Sequence, residues 1–460
     1  MKRLVAVACL GVALAGLCAH LSAAAFTGST AIPSNSVTVD QLSNYFSVTP
    51  LNTTVAGGGV DNLALDFGTV ASARTFTSVF RVTNVSGASR TAVLNLSNVP
   101  QISSLAFASG GTSATLAAGA STTVNVTTSS TVAGRGSGTL RLGLSGLSWM
   151  YRDYTVKIDE APQAPTAPAV AQKPAGRLDL SWAASTTVTN LAGYNVYRSS
   201  GGAYTKLNSS PLTGTSYSDT ATVDGTAYTY KINAVTTGSP LLTSLDSTTV
   251  SATADATAPL VTSVAVSNGG GTGNAYVNAA NASSLSVSVT LPAGSLTTDT
   301  VTLTIAKGGS SIVTTHAGTN GAGTFTVSGI NVAGLGDGAL TISASSTDAA
   351  GNVGAATSIS VTKDTVAPGA PTASYTDNNN NTADVVFGSA EANAAISISK
   401  TSTPTASYST TASGAGSYSV SVYPTNGKVT NPVSVTYVVT ATDAAGNTSS
   451  GTTLTLNDTK

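Results

Sequence analysis

Acidic residues that recur at matched positions are the side chains of this sequence best suited to chemistry. Asp348 is followed by Asp364, and Asp443 is followed by Asp458 at nearly the same spacing. Ca²⁺ binds about six to eight oxygen atoms from carboxylates, carbonyls and water. These four aspartates are therefore candidate calcium ligands at turns and linkers. The alternative is that the first aspartate of each pair caps a turn and the second is solvated.

A second oxygen-rich segment is Asp-Asn-Asn-Asn-Asn at 377–381. An EF-hand loop has acceptors at alternate positions, a glycine at about position 6 and a glutamate at about position 12. Here Thr382 and Gly388 occupy those positions. The segment is therefore predicted to be a hairpin loop, with calcium binding as the alternative.

The residues that catalysis usually requires are scarce. His316 is the one histidine after residue 25, and both cysteines, Cys9 and Cys18, come before it. One histidine supports neither a zinc site nor a Ser-His-Asp triad. The glycine run at 269–271 lacks the Lys-Ser/Thr ending of a phosphate-binding loop and is predicted to form a turn. The sequence therefore predicts a protein that is not an enzyme and has no cofactor, with calcium left open.

A repeated hexapeptide places the first aspartate of each pair in a turn. Thr-Asp-Ala-Ala-Gly-Asn occurs at 347–352 and again at 442–447, and a strand-like run follows each copy. Asp, Asn and Gly are turn-forming residues, and flanking alternation makes such a turn a hairpin. Self-similarity at the length of a domain indicates an array of similar units.

Three junctions share an acidic residue, a short spacer and Ala-Pro, at 159–162, 255–259 and 364–368. Proline cannot donate to a sheet ladder, so it marks a strand edge or a linker. The predicted units are a strand-containing segment that can belong to the first domain, at 26–59, and four domains, at 60–160, 161–255, 256–365 and 366–460.

Apolar residues alternate with polar ones at period two in many segments, for example at 122–126, 285–289 and 418–422. Such alternation predicts half-buried strands, and no sustained helical stripe occurs after residue 25. Charged residues make up 8% of the chain and hydrophobic residues 41%, which argues against disorder. The predicted fold class is all-β, with tandem immunoglobulin-like and fibronectin type III sandwiches in an extended string.

The first 25 residues have the pattern of a secretory signal peptide. Lys2 and Arg3 precede an apolar run at 4–21, and small residues follow at 22–25. A signal peptide predicts a secreted or cell-surface protein, and an uncleaved membrane anchor is the alternative. After removal of the leader, no membrane span is expected. The formal net charge is −1 and no basic patch occurs, so nucleic acid is not an expected partner.

The second domain resembles fibronectin type III domains. The resemblance is carried by Leu-Asp-Leu-Ser-Trp at 178–182, Gly-Tyr-Asn-Val-Tyr-Arg at 193–198 and the segments 215–219 and 224–235. It implies that Trp182 fills the space between two sheets. It also implies that Tyr228 is a corner tyrosine whose hydroxyl contacts nearby backbone.

The other domains resemble Ig-like domains of bacterial surface proteins. The first is similar to the abnormal-spindle/hydin type, through Leu-Asp-Phe-Gly-Thr-Val at 65–70, the strand at 76–82 and the turn at 84–87. There Leu65 and Phe67 are expected on one face, with Gly68 ending the strand. The last two domains resemble the Ig-like repeats of large adhesins, through 337–342, 387–393 and both repeated turns.

These resemblances imply a bacterial structural or adhesive protein that acts as an extended modular spacer or as a matrix or filament component. The rival is a glycan- or protein-binding accessory module, for which Trp149, Tyr151 and Tyr154 form the candidate surface patch. A core role for these three aromatic residues is the alternative to such a patch. Expected partners are cell-surface or matrix components, protein or glycan, and self-association is left open.

Overall fold

The computed structural model describes residues 31–32, 35–36, 40–317, 323–378, 382–424 and 433–459. The predicted leader at 1–25 lies outside the described residues. Among them there are β-strands, turns and three short 3₁₀ segments, but no α-helix. In this described part, no helix is long and apolar enough to cross a bilayer. The 3₁₀ segments are Leu42–Asn44, Pro174–Gly176 and Thr272–Asn274.

The strands form four two-sheet sandwiches, which confirms the predicted fold class of tandem immunoglobulin-like and fibronectin type III domains. A short hairpin, β1 (Ala31–Ile32) and β2 (Asn35–Ser36), precedes them. The chain divides into two compact units, which are described separately below. One unit lies within residues 1–172 and 177–254, and the other within 173–176 and 255–460.

The first sandwich packs a four-stranded sheet, β3-β6-β10-β8, on a six-stranded sheet, β4-β5-β12-β11-β7-β9. Alternation buries Val124 and Val126 of β10 between the sheets, as the period-two pattern predicts. The strands are β3 (Phe46–Pro50), β4 (Ala56–Gly57), β5 (Ala64–Val70), β6 (Thr75–Asn84), β7 (Arg90–Ser97), β8 (Ile102–Phe107), β9 (Ser113–Leu116), β10 (Ser121–Thr128), β11 (Gly134–Leu144) and β12 (Tyr151–Glu160).

Strand β5 departs from the prediction at Gly68. Leu65 and Phe67 are both buried, as expected, but the strand continues past Gly68 to Val70. Its parallel pairing with β12 shifts register at this point, and Gly68 has a φ of 56°. The glycine therefore accommodates a β-bulge rather than ending the strand.

The second sandwich packs β13-β14-β17 on β16-β15-β18-β19. Trp182 is buried and meets Tyr194 edge to face, with ring centroids 5.6 Å apart. The Tyr228 hydroxyl accepts a hydrogen bond from the Val223 N–H at 3.0 Å, so both predicted aromatic roles are confirmed. The strands are β13 (Thr166–Gln172), β14 (Leu178–Ala183), β15 (Leu191–Ser199), β16 (Thr205–Lys206), β17 (Ser216–Asp219), β18 (Ala227–Thr236) and β19 (Val250–Thr253).

The third sandwich packs β20-β22-β25 on β21-β27-β26-β23-β24. Leu285, Val287 and Val289 of β22 are fully buried, as their alternation predicts. The strands are β20 (Ser263–Val266), β21 (Tyr276–Val277), β22 (Leu285–Leu291), β23 (Thr300–Lys307), β24 (Ser310–Ala317), β25 (Gly323–Ile330), β26 (Gly338–Thr347) and β27 (Thr357–Lys363).

The fourth sandwich packs β28-β29-β32 on β31-β30-β33-β34. Tyr418 and Val422 of β32 are buried in its core. Antiparallel pairing of β28 with β29 confirms the hairpin predicted around 377–381, although residues 379–381 lie outside the described part. The strands are β28 (Ser374–Thr376), β29 (Asp384–Ser389), β30 (Ala395–Lys400), β31 (Ser407–Thr411), β32 (Ser417–Val422), β33 (Val433–Thr442) and β34 (Thr452–Asp458).

Candidate functional site: junction turns and charged strand ends

The two copies of the repeated hexapeptide form hairpin turns with matching hydrogen bonds. In the first copy the Asp348 carboxylate accepts from the backbone N–H and the side-chain Nδ2 of Asn352, both at 2.8 Å. In the second copy Asp443 accepts from Asn447 in the same way, at 2.8 and 2.9 Å. Gly351 supplies the positive φ, 90°, that the first turn needs.

The asparagine that ends each turn also holds neighbouring backbone, and we call Asn352 and Asn447 the junction asparagines. Asn447 donates from Nδ2 to the carbonyl of Asp364 at 2.9 Å, and its Oδ1 accepts from the Ala279 N–H at 2.9 Å. Asp364 lies in the linker that precedes the fourth sandwich, whereas Ala279 belongs to the third. One buried side chain therefore hydrogen-bonds the linker and the preceding sandwich together.

The first junction asparagine makes the same pair of contacts within the second compact unit. Asn352 donates from Nδ2 to the Asp255 carbonyl at 2.9 Å. Its Oδ1 accepts from the Ala175 N–H at 2.8 Å. The same pair of hydrogen bonds is thus made by two asparagines that lie 95 positions apart in the sequence.

Close backbone contact accompanies the hydrogen bonds between the third and fourth sandwiches. A Cβ atom added to Gly270 would lie 2.0 Å from the Ala445 carbonyl oxygen. The same carbonyl accepts from Asn278 Nδ2 at 2.8 Å. Gly270 forms a bridge with Tyr276, which confirms the predicted turn. The glycine is also what allows the second turn to pack so closely.

The first and second sandwiches are joined by backbone pairing instead. Val132 and Thr189 form an isolated parallel bridge, and the Val188 N–H donates to the Thr131 carbonyl at 2.9 Å. Asn190 Nδ2 donates to the Ala133 carbonyl at 2.8 Å. A junction was predicted here at 159–162, but these contacts were not, because their residues are ordinary turn and strand residues.

The four predicted calcium ligands occupy three kinds of place. Asp348 and Asp443 cap the repeated turns, the arrangement expected as the alternative to calcium binding. The Asp364 carboxylate accepts from the Val366 N–H at 3.1 Å. Asp458 lies in a cluster with two other acids and is described next. Calcium at these four residues stays a prediction.

Asp458 comes together with Asp377 and Asp384 at one end of the fourth sandwich. One carboxylate oxygen from each lies within 4.8 Å of the others. Burial raises the pKa of Asp384, the Asn378 N–H opposes the rise, and the charges of Asp377 and Asp458 add to it. Asp384 was missed in the sequence because it is a lone acid that opens an ordinary strand.

The third sandwich has Lys363 where the fourth has Asp458. Both residues end the last strand of their sandwich, and each is paired with the first described residue of the preceding strand, Gly338 or Val433. Lys363 is 4% exposed and donates from Nζ to the Leu335 carbonyl at 2.6 Å and to Asp337 Oδ1 at 3.0 Å.

The first sandwich also ends its last strand on a buried charged residue, Glu160, which is paired with Gly134. Its side chain is fully buried, and Oε2 has no hydrogen-bond partner. Burial raises the pKa of Glu160 to about 7, against the opposing effects of the Thr128 hydroxyl and the Arg74 charge. The last strand of the second sandwich ends on an exposed threonine, Thr253.

The three aromatic residues considered for a binding patch differ in their exposure to solvent. Trp149 is 43% exposed, whereas Tyr154 is buried and donates to the Val60 carbonyl at 2.6 Å. Tyr151 is half-buried, with the Arg141 guanidinium 3.6 Å from its ring centroid. His316 is half-buried and stacks on Phe325 with ring centroids 4.6 Å apart.

No family model matches the chain. A curated relative, the amylopullulanase of Thermoanaerobacterium saccharolyticum, is 47% identical over 77 residues, which is 16% of this chain. The chain spans 6% of the length of that protein.

Among solved structures, the FN1-FN3 domains of chicken CNTN1 match 65% of this chain and 99% of their own, with 13% identity and a TM-score of 0.29. An Fn3-like protein from Clostridium thermocellum is 31% identical, covering 19% of this chain and 86% of its own at a TM-score of 0.17. The tetra-tandem repeat in the extending region of a large adhesion protein covers 90% and 98%, with 18% identity and a TM-score of 0.23. Because these TM-scores are low, the fold is assigned from the observed sheet topology and not from these structures.

Proposed function

We propose that this protein is a secreted or cell-surface structural and adhesive element, acting as an extended modular spacer or as a matrix or filament component. The proposal depends on one observation, that each junction asparagine makes the same pair of hydrogen bonds to backbone outside its own turn. A protein whose work is to hold modules in a fixed series needs defined junctions more than it needs a cleft. Asn447 supports such a junction because it hydrogen-bonds both the Asp364 carbonyl in the linker and the Ala279 N–H in the preceding sandwich.

The rest of the proposal follows from the modular build. We place the domains at 60–160, 161–255, 256–365 and 366–460, after a leader at 1–25 and a segment at 26–59. The protein is non-enzymatic in this proposal, and it projects its surface towards cell-surface or matrix partners. Few charges and many Ser and Thr residues suit an extracellular role, because the outer faces are polar without strong fields.

The proposal is tested by measuring how firmly the third and fourth sandwiches are joined. Spin labels are attached to Thr315→Cys and Ser409→Cys, both exposed, in a chain whose Cys9 and Cys18 are changed to serine. Double electron–electron resonance should give one narrow distance distribution. The variant Asn447→Ala should broaden it, because the hydrogen bonds to Asp364 and Ala279, each contributing about 1 kcal/mol, are lost together with the one to Asp443.

Asn352→Ala is the matched control, since it removes the same side chain from the other copy of the turn. It should leave the distance distribution between the two labels unchanged. A broad distribution in the parent protein would contradict the proposal, because the junction would then be a hinge.

A second candidate function, glycan binding as an accessory module, is favoured by one observation. Trp149 is 43% exposed, and exposed aromatic rings are suited to stacking against sugar rings. The curated relative is named as an amylopullulanase, which makes starch a sensible first ligand. Saturable binding to starch or cell-wall polysaccharide that is lost in Trp149→Ala would support this function. Equal binding by the variant would remove it.

A further inference from the structure

Strand β24 lies at the open edge of the five-stranded sheet of the third sandwich. It pairs with β23 over its whole length, from Ser310 to Ala317, without a shift in register. In the described part of the chain, no strand pairs with its other side. Alternate residues of such an edge point their N–H and C=O groups away from the sheet, where another strand can bind them.

The other long edge strands each carry a feature that hinders pairing with another chain. β13 contains Pro168 and shifts register against β14, and β25 shifts register against β22. β34 ends on the acidic Asp458. The remaining edge strands of the described sheets have at most six residues. Short length, proline, bulges and charge are the usual protections of a sheet edge, and β24 has none of them.

The side chains of β24 alternate between the two faces of its sheet. Ile312, Thr314 and His316 are half-buried on the face towards the core, and His316 stacks there on Phe325. On the outer face the middle of the strand presents Val313, which is 59% exposed. The strand contains no Asp, Glu, Lys or Arg. Its edge therefore suits a partner strand that is also uncharged and rich in β-branched residues.

A second copy of β24 has these properties. If two copies run antiparallel about a twofold axis at Thr314, Val313 lies opposite the partner's Thr315, and Ile312 lies opposite the partner's His316. This register keeps outer-face residues together and core-face residues together, because residues of the same parity are opposed. It forms β-branched cross-strand pairs on the outer face, which stabilise antiparallel ladders, and it brings no acidic or basic strand residues of like charge together.

We propose that two copies of this protein associate side by side through antiparallel pairing of β24 with the β24 of the partner. The two five-stranded sheets then become one continuous sheet, of a size that open sheets reach in other proteins. The same strand serves both copies, so the interface closes at a dimer and does not continue into a fibre.

The contact made by a single strand is small beside the roughly 1,200–2,000 Å² that stable protein interfaces bury. We therefore expect a Kd above about 10 µM, with monomers at lower concentration. The distance measurement between the third and fourth sandwiches is accordingly made on dilute protein. Pairing becomes effective where copies are held close together, because tethering raises the local concentration to about millimolar. This inference goes beyond the proposed function, since β24 makes none of the contacts of the junction asparagines.

Sedimentation equilibrium of the full chain, with Cys9 and Cys18 changed to serine, tests the pairing. The parent protein should change from monomer to dimer between about 5 µM and about 1 mM. Val313→Lys should raise the Kd of the dimer by more than about tenfold, because it places like charges together on the paired edges. Val353→Lys is the matched control, since Val353 is 62% exposed and lies in the turn after β26 of the same sandwich. It should keep the Kd of the parent.

Hydrogen exchange locates the contact and shows that the variant is folded. In concentrated parent protein, alternate amides of β24 should exchange more slowly, whereas β31, the equivalent edge strand of the fourth sandwich, should not respond. Val313→Lys should lose the response of β24 and keep the slow exchange of β22 and β26. Thr315→Lys, on the same face, should behave in the same way.

The inference is overturned if the parent protein stays monomeric at about 1 mM. It is also overturned if Val313→Lys and Thr315→Lys associate as the parent does, or if Val353→Lys loses association equally. A monomeric parent with a narrow distribution of distances between the spin labels would overturn this inference and leave the proposed function standing.

Discussion

The third and fourth sandwiches end their last strands in the same register but with opposite charges. Lys363 of the third pairs with Gly338, and Asp458 of the fourth pairs with Val433. The lysine is met by Asp337 and a main-chain carbonyl. The aspartate lies close to Asp377 and Asp384. The strand end fixes where a charged side chain is buried, whereas the residues around it decide how that charge is neutralised.

The first sandwich also buries a charged residue at the end of its last strand. Glu160 pairs with Gly134, as Lys363 pairs with Gly338, and it is fully buried. Its pKa of about 7 keeps much of it protonated at neutral pH. Burying an unpaired charge is costly, so Lys363 is met by a counter-ion within the chain, whereas Glu160 is met by a proton.

The largest effect is expected from reversing the charge in the third sandwich. Lys363→Asp would bury a carboxylate beside Asp337 and should lower the free energy of unfolding of this sandwich by about 4 kcal/mol. Urea denaturation followed by hydrogen exchange in β26 measures it. If the loss is no greater than that caused by an uncharged residue, the sign of the charge does not matter and the comparison fails.

The next effect is the dependence of the stability of the first sandwich on pH. The pKa of Glu160 is about 7 in the folded state and near its ordinary 4.5 in the unfolded chain. Its contribution to stability is therefore complete below about pH 4.5 and is lost as pH rises through 7, by about 3 kcal/mol in total. Thermal unfolding across this range measures it, and Glu160→Gln should flatten the curve. An unchanged slope in the variant would assign the dependence to other groups.

A smaller loss is expected when Lys363 is neutralised rather than reversed. Lys363→Met keeps an apolar stem of similar length but removes the donors to Leu335 and Asp337. The free energy of unfolding should fall by about 1–2 kcal/mol, because a buried carbonyl loses its partner. The same urea titration detects it. Stability equal to or above that of the parent would mean that the cost of desolvating the ammonium is at least as large as the stabilisation from its hydrogen bonds.

The smallest effect concerns the exposed Arg74, whose charge lowers the pKa of Glu160. Arg74→Gln should move the midpoint of the pH dependence upwards by less than about one unit, since exposed charges interact weakly. Adding about 1 M salt to the parent protein should move it in the same direction, because salt screens the interaction. A downward shift would show that Arg74 acts through its packing on Phe76 instead.

The sequence was sufficient for features that depend on local pattern. Alternation predicted which face of β10 and β22 is buried, and the aromatic spacing of the second sandwich predicted the places of Trp182 and Tyr228. The repeated hexapeptide was recognised as a hairpin turn. The recurrence of its final asparagine in both copies is also visible in the sequence, but the contacts of this asparagine with residues outside the turn are not.

Features formed by distant segments were not predictable. Asp384 and Asp458 are separated by most of the fourth sandwich, and only the closure of its two sheets brings them together. Gly270 was predicted as a turn residue, but its second role depends on Ala445, far along the chain. Gly68 was expected to end a strand, yet a bulge in the parallel pairing of β5 carries the strand onward.

The junction asparagines grip main-chain atoms, and this has an evolutionary consequence. Asn447 binds a carbonyl and an N–H, which nearly every amino acid offers in the same form. Substitutions at Asp364 and Ala279 can therefore leave these two hydrogen bonds unchanged. A gene segment encoding one such module can be duplicated or recombined beside another, because the coupling requires no matched pair of side chains.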